Sequence, residues 1–153
     1  MIKHIVVTAA AIAGATLLVA PPASAGDGAM IEAELSPWDN VQQVSPTRWY
    51  VGQSEDFTFT VDVTNDSVHG QDALTVFVSV PFEVTGYEGD RWNCWDVDGG
   101  VQCANPDVTV PREDWPTLFV HGRTTEVDIR DSIDVYATSN VGADHSGMEF
   151  YSY

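Results

Sequence analysis

Between residues 57 and 63 the chain alternates strictly: Phe57, Phe59, Val61 and Val63 are apolar, and Thr58, Thr60 and Asp62 between them are polar. Only an extended strand sends successive side chains to opposite faces, so a period of two requires a sheet with one buried and one wet face. Asn65-Asp66-Ser67 follows with turn chemistry. Leu74, Val76, Val78 and Val80 repeat the pattern until Pro81 ends it, and Ile133, Val135 and Ala137 alternate with Asp134, Tyr136 and Thr138. Shorter runs at 83–87, 92–95, 101–103, 108–110 and 118–120 read as further strands. Met30–Leu35 is expected to open the fold and Glu149–Tyr153 to close it. Residues 36–50, with two prolines and no clear period, are expected to form a loop over one end. No segment carries a helical apolar stripe. The pattern predicts an all-β fold, an antiparallel Ig-like β-sandwich of about seven strands.

The first 25 residues have a different character. Lys3 and His4 precede a run of apolar or small residues from 5 to 20, then Pro21-Pro22, then Ala23-Ser24-Ala25. Basic start, apolar centre and small-residue A-x-A site describe a secretory signal peptide cut before Gly26. The run is short for a membrane span, which needs about 20 residues. The expected organisation is therefore a leader, 1–25, and one domain, 26–153, secreted and not inserted in a membrane after cleavage. Lys3 is the only lysine. The remaining chain keeps five arginines and all 23 acids, a formal charge of −18. Phosphate repulsion then excludes the simplest nucleic-acid binders and disfavours anionic membrane surfaces. A hydrophobic fraction of 44% is too high for a disordered acidic tail. The acids, among them Asp62, Asp72, Asp128 and Asp134, fall on wet strand positions and in loops, where they act as a solvation coat that keeps a monomer soluble.

Cys94 and Cys103 are the only cysteines, and an exported chain meets an oxidising compartment. Asp98-Gly99-Gly100 between them supports a tight reversal, so a disulfide clipping a hairpin is expected. Closing a loop of about ten residues contributes roughly 2.7 kcal/mol by chain entropy.

The segments F-T-F-T-V-D-V-T-N (57–65), L-T-V-F-V-S-V-P (74–81), W-N-C (92–94), G-G-V-Q-C (99–103) and L-F-V (118–120) together resemble an Ig-like repeat family. It occurs in secreted and cell-surface proteins of bacteria, actinobacteria included, as a domain of unknown function. The resemblance covers roughly residues 50–140. It implies a spacer or adhesive role without catalytic residues, although those modules often stand in tandem and this one is a single copy. Cys94–Asp107 also resembles the disulfide hairpin of the neocarzinostatin-type apo-chromoproteins, acidic secreted sandwiches that bind an enediyne. The second disulfide of that family has no counterpart here.

Catalytic chemistry finds little support in the residues. His69, His121 and His145 each stand near a glycine, where loop solvation is expected. Asp144, His145 and Ser146 are chain neighbours and cannot assemble a triad, and no G-x-S-x-G or H-E-x-x-H pattern exists. Asp96-x-Asp98-Gly99 has its glycine at the fourth place of a would-be calcium loop and Asp107, not Glu, at the twelfth. The chain is accordingly expected to be no enzyme, with no catalytic residue, metal or cofactor. Of the five tryptophans, Trp92, Trp95 and Trp115 are candidates for ligand or partner contact. Trp92 shares strand parity with Cys94, and Trp95 faces the other way. The leading expectation is a module that meets an unknown protein or cell-envelope component. The alternative is a small-molecule or carbohydrate-binding module.

Overall fold

The computed structural model describes residues 30–140 and 142–153. The expected signal peptide lies outside the described residues. Eleven strands form two sheets: β1 (Glu32–Asp39), β2 (Gln42–Ser45), β3 (Arg48–Tyr50), β4 (Asp56–Thr64), β5 (Leu74–Ser79), β6 (Glu83–Glu88), β7 (Asn93–Val97), β8 (Gly100–Asn105), β9 (Leu118–Arg123), β10 (Ile129–Thr138) and β11 (Ala143–Ser152). One sheet has four strands in the order β1-β4-β9-β6, and the other has seven in the order β2-β3-β11-β10-β5-β8-β7. The result is a β-sandwich, and no helix occurs among the described residues.

The period of two sets the core. On β4, Phe57, Phe59, Val61 and Val63 are buried; on β5, Leu74, Val76 and Val78; on β10, Ile133, Val135 and Ala137. The two inner faces meet in a cluster of rings. Phe82 sits edge-on to Phe57 at 4.7 Å and lies 5.0 Å from Phe150, while Trp49 packs 5.8 Å from Phe59.

Four local expectations are corrected. Residues 36–50 are not a loop: they hold the second half of β1 and the hairpin β2–β3, and Trp49 is fully buried. Strands of three or four residues are too short to display a period, and Pro37 is accommodated where the β1–β4 register shifts between Pro37 and Asp39. The strands number eleven among the described residues, above the expected seven or so, and β2 and β3 are two of the additional ones. Pairing is antiparallel except between β3 and β11, where Arg48, Trp49 and Tyr50 run parallel to Glu149, Phe150 and Tyr151. Residues 108–110 form no strand: their one β-bridge is Gln71 to Thr109, with Thr109 inward and both valines exposed.

Asn65 closes β4 as a buried hub. Its amide donates to the carbonyls of His69 and Val110, and its Oδ1 accepts from both the amide and the hydroxyl of Ser67. With every polar atom engaged, burial of this side chain costs little, and the 65–71 loop is fastened to the core.

Candidate functional site

Cys94 and Cys103 are bonded, and they stand directly opposite each other on β7 and β8 with Cα atoms 4.0 Å apart. Such closeness suits a non-hydrogen-bonded antiparallel pair, whose side chains share one face. The reversal between them is Asp98-Gly99, and Gly99 takes φ 79°, a conformation that favours glycine.

The three candidate tryptophans separate. Trp115 is only 2% exposed and its indole N–H donates to the Asp107 carbonyl, so its expected place on a contact surface is corrected to the core. Burial wins here because the ring fills the space beneath the 107–116 segment while its one polar atom finds a partner. Trp92 is partly buried against the core, and its indole N–H donates to the Pro116 carbonyl at 2.6 Å. Trp95 is 43% exposed on the outer face of the seven-stranded sheet, as its parity opposite to Trp92 requires.

Strand register extends this exposed position into a row. Trp95 on β7 stands opposite Gln102 on β8, Gln102 opposite Phe77 on β5, Phe77 opposite Tyr136 on β10, and Tyr136 opposite His145 on β11. At about 4.8 Å per strand the row spans roughly 19 Å. Phe77 and Tyr136 stack at 6.2 Å and 22°, and Tyr136 and His145 at 4.5 Å and 26°. Rings side by side in one plane need roughly 6 Å or more between centroids to avoid collision. Tyr136 and His145 are therefore stacked face against face, with ring edges outward. His145 thus belongs to a strand and not to the expected solvated turn.

An adjacent cluster steadies this row. Asp134 accepts from Ser132 Oγ through one carboxylate oxygen and contacts His145 Nε2 at 3.0 Å through the other. The Ser132 hydrogen bond, then the His145 contact, hold the Asp134 carboxyl below the usual range against an opposing desolvation. Gly147 is the residue opposite Asp134, and a Cβ there would lie 2.7 Å from Asp134 Oδ1. The missing side chain is what lets the carboxylate reach across.

Ser132 donates to the Asp134 carboxylate and not to the His145 imidazole, so the serine–histidine–aspartate order of a relay is not formed here. Across the other sheet, Thr58 Oγ1 meets His121 Nδ1 at 2.8 Å, and His121 Nε2 lies 3.7 Å from Glu88. The order of groups resembles a relay, but Thr58 is in mid-strand between β1 and β9, whose ladders engage the main-chain donors an oxyanion would need. Among the described residues no group of three or more His, Cys, Asp or Glu is placed to hold a metal ion, and the Asp96 and Asp98 pair belongs to the β7 end and its turn.

Phe77, Tyr136 and His145 were not singled out from sequence as contact residues. The available signal was parity: Phe77 falls between Thr75 and Ser79, and Tyr136 between Asp134 and Thr138, each an aromatic ring on a wet-face position.

No protein-family model matches the chain, and no curated protein sequence matches it. Solved structures match its fold. A type I cohesin–dockerin complex from Clostridium thermocellum aligns with TM-score 0.54 at 8% identity, over 81% of this chain and 99% of that one. The cohesin module of a Clostridium perfringens family 33 glycoside hydrolase aligns with TM-score 0.54 at 9% identity, over 82% and 100%. A family 123 glycoside hydrolase from Clostridium perfringens aligns with TM-score 0.51 at 6% identity, over 81% of this chain but 27% of that enzyme. At these identities the likeness is one of fold.

Proposed function

We propose that this chain is an exported, non-catalytic recognition module that docks a protein partner through the outer face of its seven-stranded sheet. The observation that carries the reading is the row Trp95–Gln102–Phe77–Tyr136–His145, four rings and one amide side chain held on five adjacent strands. Large rings on a rigid sheet lose little entropy on binding and are the usual anchors of protein interfaces. A standard interface covers about 800 Å² per partner, so a row of roughly 19 Å fits within its centre. The stacking of Tyr136 on His145 turns edges to solvent, and this favours a protein partner over a sugar ring, which needs an open aromatic face. Support from the comparisons is limited to fold: cohesin modules use the same kind of sandwich, and the Clostridium thermocellum example stands in complex with a dockerin. Export through residues 1–25 and kinship with the bacterial Ig-like repeat family belong to the same proposal.

The test is capture from culture supernatant and envelope extract by three immobilised proteins: the unaltered chain, the double variant Trp95→Ala/Tyr136→Ala, and a control altered at the exposed Val127. The unaltered and control proteins are expected to retain a common partner. The double variant should lose at least about 2 kcal/mol, roughly 30-fold in affinity. Equal retention by all three would remove this face from the interface.

A further inference from the structure

The same outer face carries a second cross-strand row at its other end. Arg130 on β10 stands opposite Tyr151 on β11, Tyr151 beside Tyr50 on β3, and Tyr50 opposite Gln42 on β2. Around this row lies an open cleft of about 560 Å³, whose walls include Arg48, Arg130, Tyr50, Tyr151 and Tyr153. That volume is within the range of ligand-binding clefts.

Its charge sets the cleft apart. The chain has 23 acids and only five arginines in the described residues, yet two of those arginines line this one cleft and no carboxylate side chain does. Four arginines are paired: Arg48 with Glu149, Arg91 with Asp107, Arg112 with Asp66 and Arg123 with Asp56. Arg130 is the one arginine for which no ion pair forms among the described residues. Arg48 is fixed on two sides, by Glu149 at 2.8 Å and by the Tyr151 ring at 5.0 Å, so its guanidinium is oriented in advance. Tyr50 donates its hydroxyl to the Tyr153 carbonyl and packs 5.1 Å from that ring, which sets the tyrosine wall. A free guanidinium fork beside an oriented one, with tyrosines around them, is the composition of an interface hot spot and the geometry that receives carboxylates.

We infer that this cleft receives an acidic peptide segment of the partner protein, with Arg130 as its main carboxylate contact. The inference rests on the protein-partner reading above and names the chemistry of the partner. The two sites lie on one face: Arg130 and Tyr136 are both on β10, six residues or roughly 20 Å apart, and one ordinary interface covers both. The acidic coat does not forbid an acidic ligand. At physiological ionic strength charges beyond about 8 Å are largely screened, whereas a carboxylate seated on a guanidinium is in contact.

The experiment is a nuclear magnetic resonance titration of the isotope-labelled protein at physiological salt with three blocked peptides: hexaglutamate, hexaglutamine and hexalysine. Hexaglutamate is expected to shift the amides of Tyr50, Arg130 and Tyr151 saturably, at least tenfold more tightly than hexaglutamine. Arg130→Gln, whose spectrum without peptide should otherwise overlay the unaltered one, is expected to weaken that binding about tenfold. Hexalysine should shift acidic surface positions instead and ignore Arg130→Gln. Absence of cleft shifts with hexaglutamate, or an affinity unchanged by Arg130→Gln, would overturn the inference. A concentration-dependent change in sedimentation abolished by Arg130→Gln would assign the cleft to a second copy of this chain and overturn it likewise. Hexaglutamate binding with an intact partner on the Trp95→Ala/Tyr136→Ala variant would overturn the aromatic row alone; the reverse pair of results would overturn the cleft alone.

Discussion

Reduction of the Cys94–Cys103 bond tests how the hairpin is held. The cysteines are nine positions apart, so the closed loop is short, and chain entropy assigns the cross-link about 2.7 kcal/mol. A domain of roughly 125 residues unfolds with about 0.26 kcal/mol/K near its midpoint, so reduction should lower Tm by about 10 °C. Marginal stabilities of about 5–15 kcal/mol leave the reduced protein folded at 25 °C. The double variant Cys94→Ala/Cys103→Ala should fall further, by about 1 kcal/mol, because Cys103 is fully buried and its sulfur leaves a gap. The loss has a location as well as a size. β7 is the last strand of the seven-stranded sheet and pairs only with β8. Without the bond it should fray, and amide exchange in 93–97 should accelerate well before that in β5, which is flanked on both sides. Thermal melts followed by circular dichroism with and without reductant, alongside hydrogen exchange, read both quantities. A Tm change below about 3 °C, or β7 exchange as slow as that of β5 after reduction, would refute the reasoning.

Three other substitutions probe the register and the polar cluster. Gly100→Ala would place a Cβ against the Val78 carbonyl, deep inside van der Waals contact, so β5 and β8 must part; denaturant melts should show a loss of more than about 3 kcal/mol, and a loss below 1 kcal/mol would contradict the tight approach. The lowered Asp134 pKa means its contribution to stability is present above the unfolded carboxylate value of about 3.9 and is lost as pH falls through the folded value. The stability gap between the unaltered protein and Asp134→Asn should therefore be full at neutral pH and close in acid. Gly147→Ala, which pushes the carboxylate off His145, should reproduce part of that behaviour in pH-dependent urea melts, whereas a gap that is constant with pH would discount the cluster.

The legibility of this fold depended on the length of unbroken alternation, since β11 has ten residues and yet its glycine-containing first half read as a turn. β4, β5 and β10 contain six to ten residues, enough turns of the pleat for alternation to show, and their buried positions were readable. β2 and β3, with four and three residues, were not readable, and Trp49 was lost in an expected loop although it lies at the centre of the core. Trp92, Trp95 and Trp115 had the same standing in sequence. Parity separated the first two correctly, but nothing local foretold that Pro116 and Asp107 would offer carbonyls to Trp92 and Trp115 and draw both rings inward.

The amino-acid sequence by itself determined the fold class, the apolar buried side of β4, β5 and β10 and the composition of the coat, because these follow from alternation and charge within one segment; the expected wet face of β4 did not follow, since Thr58 and Thr60 are buried as well. The disulfide also followed, from two cysteines flanking Asp98-Gly99-Gly100 in a chain expected to be exported. The aromatic row and the arginine cleft were decided only by the tertiary structure. Phe77 and Tyr136 are 59 positions apart, Arg48 and Arg130 are 82 apart, and each pair shares a site only through strand order and register. Parity tells a side chain which face to take; its neighbours on that face come from long-range hydrogen-bonded pairing, which no local window contains.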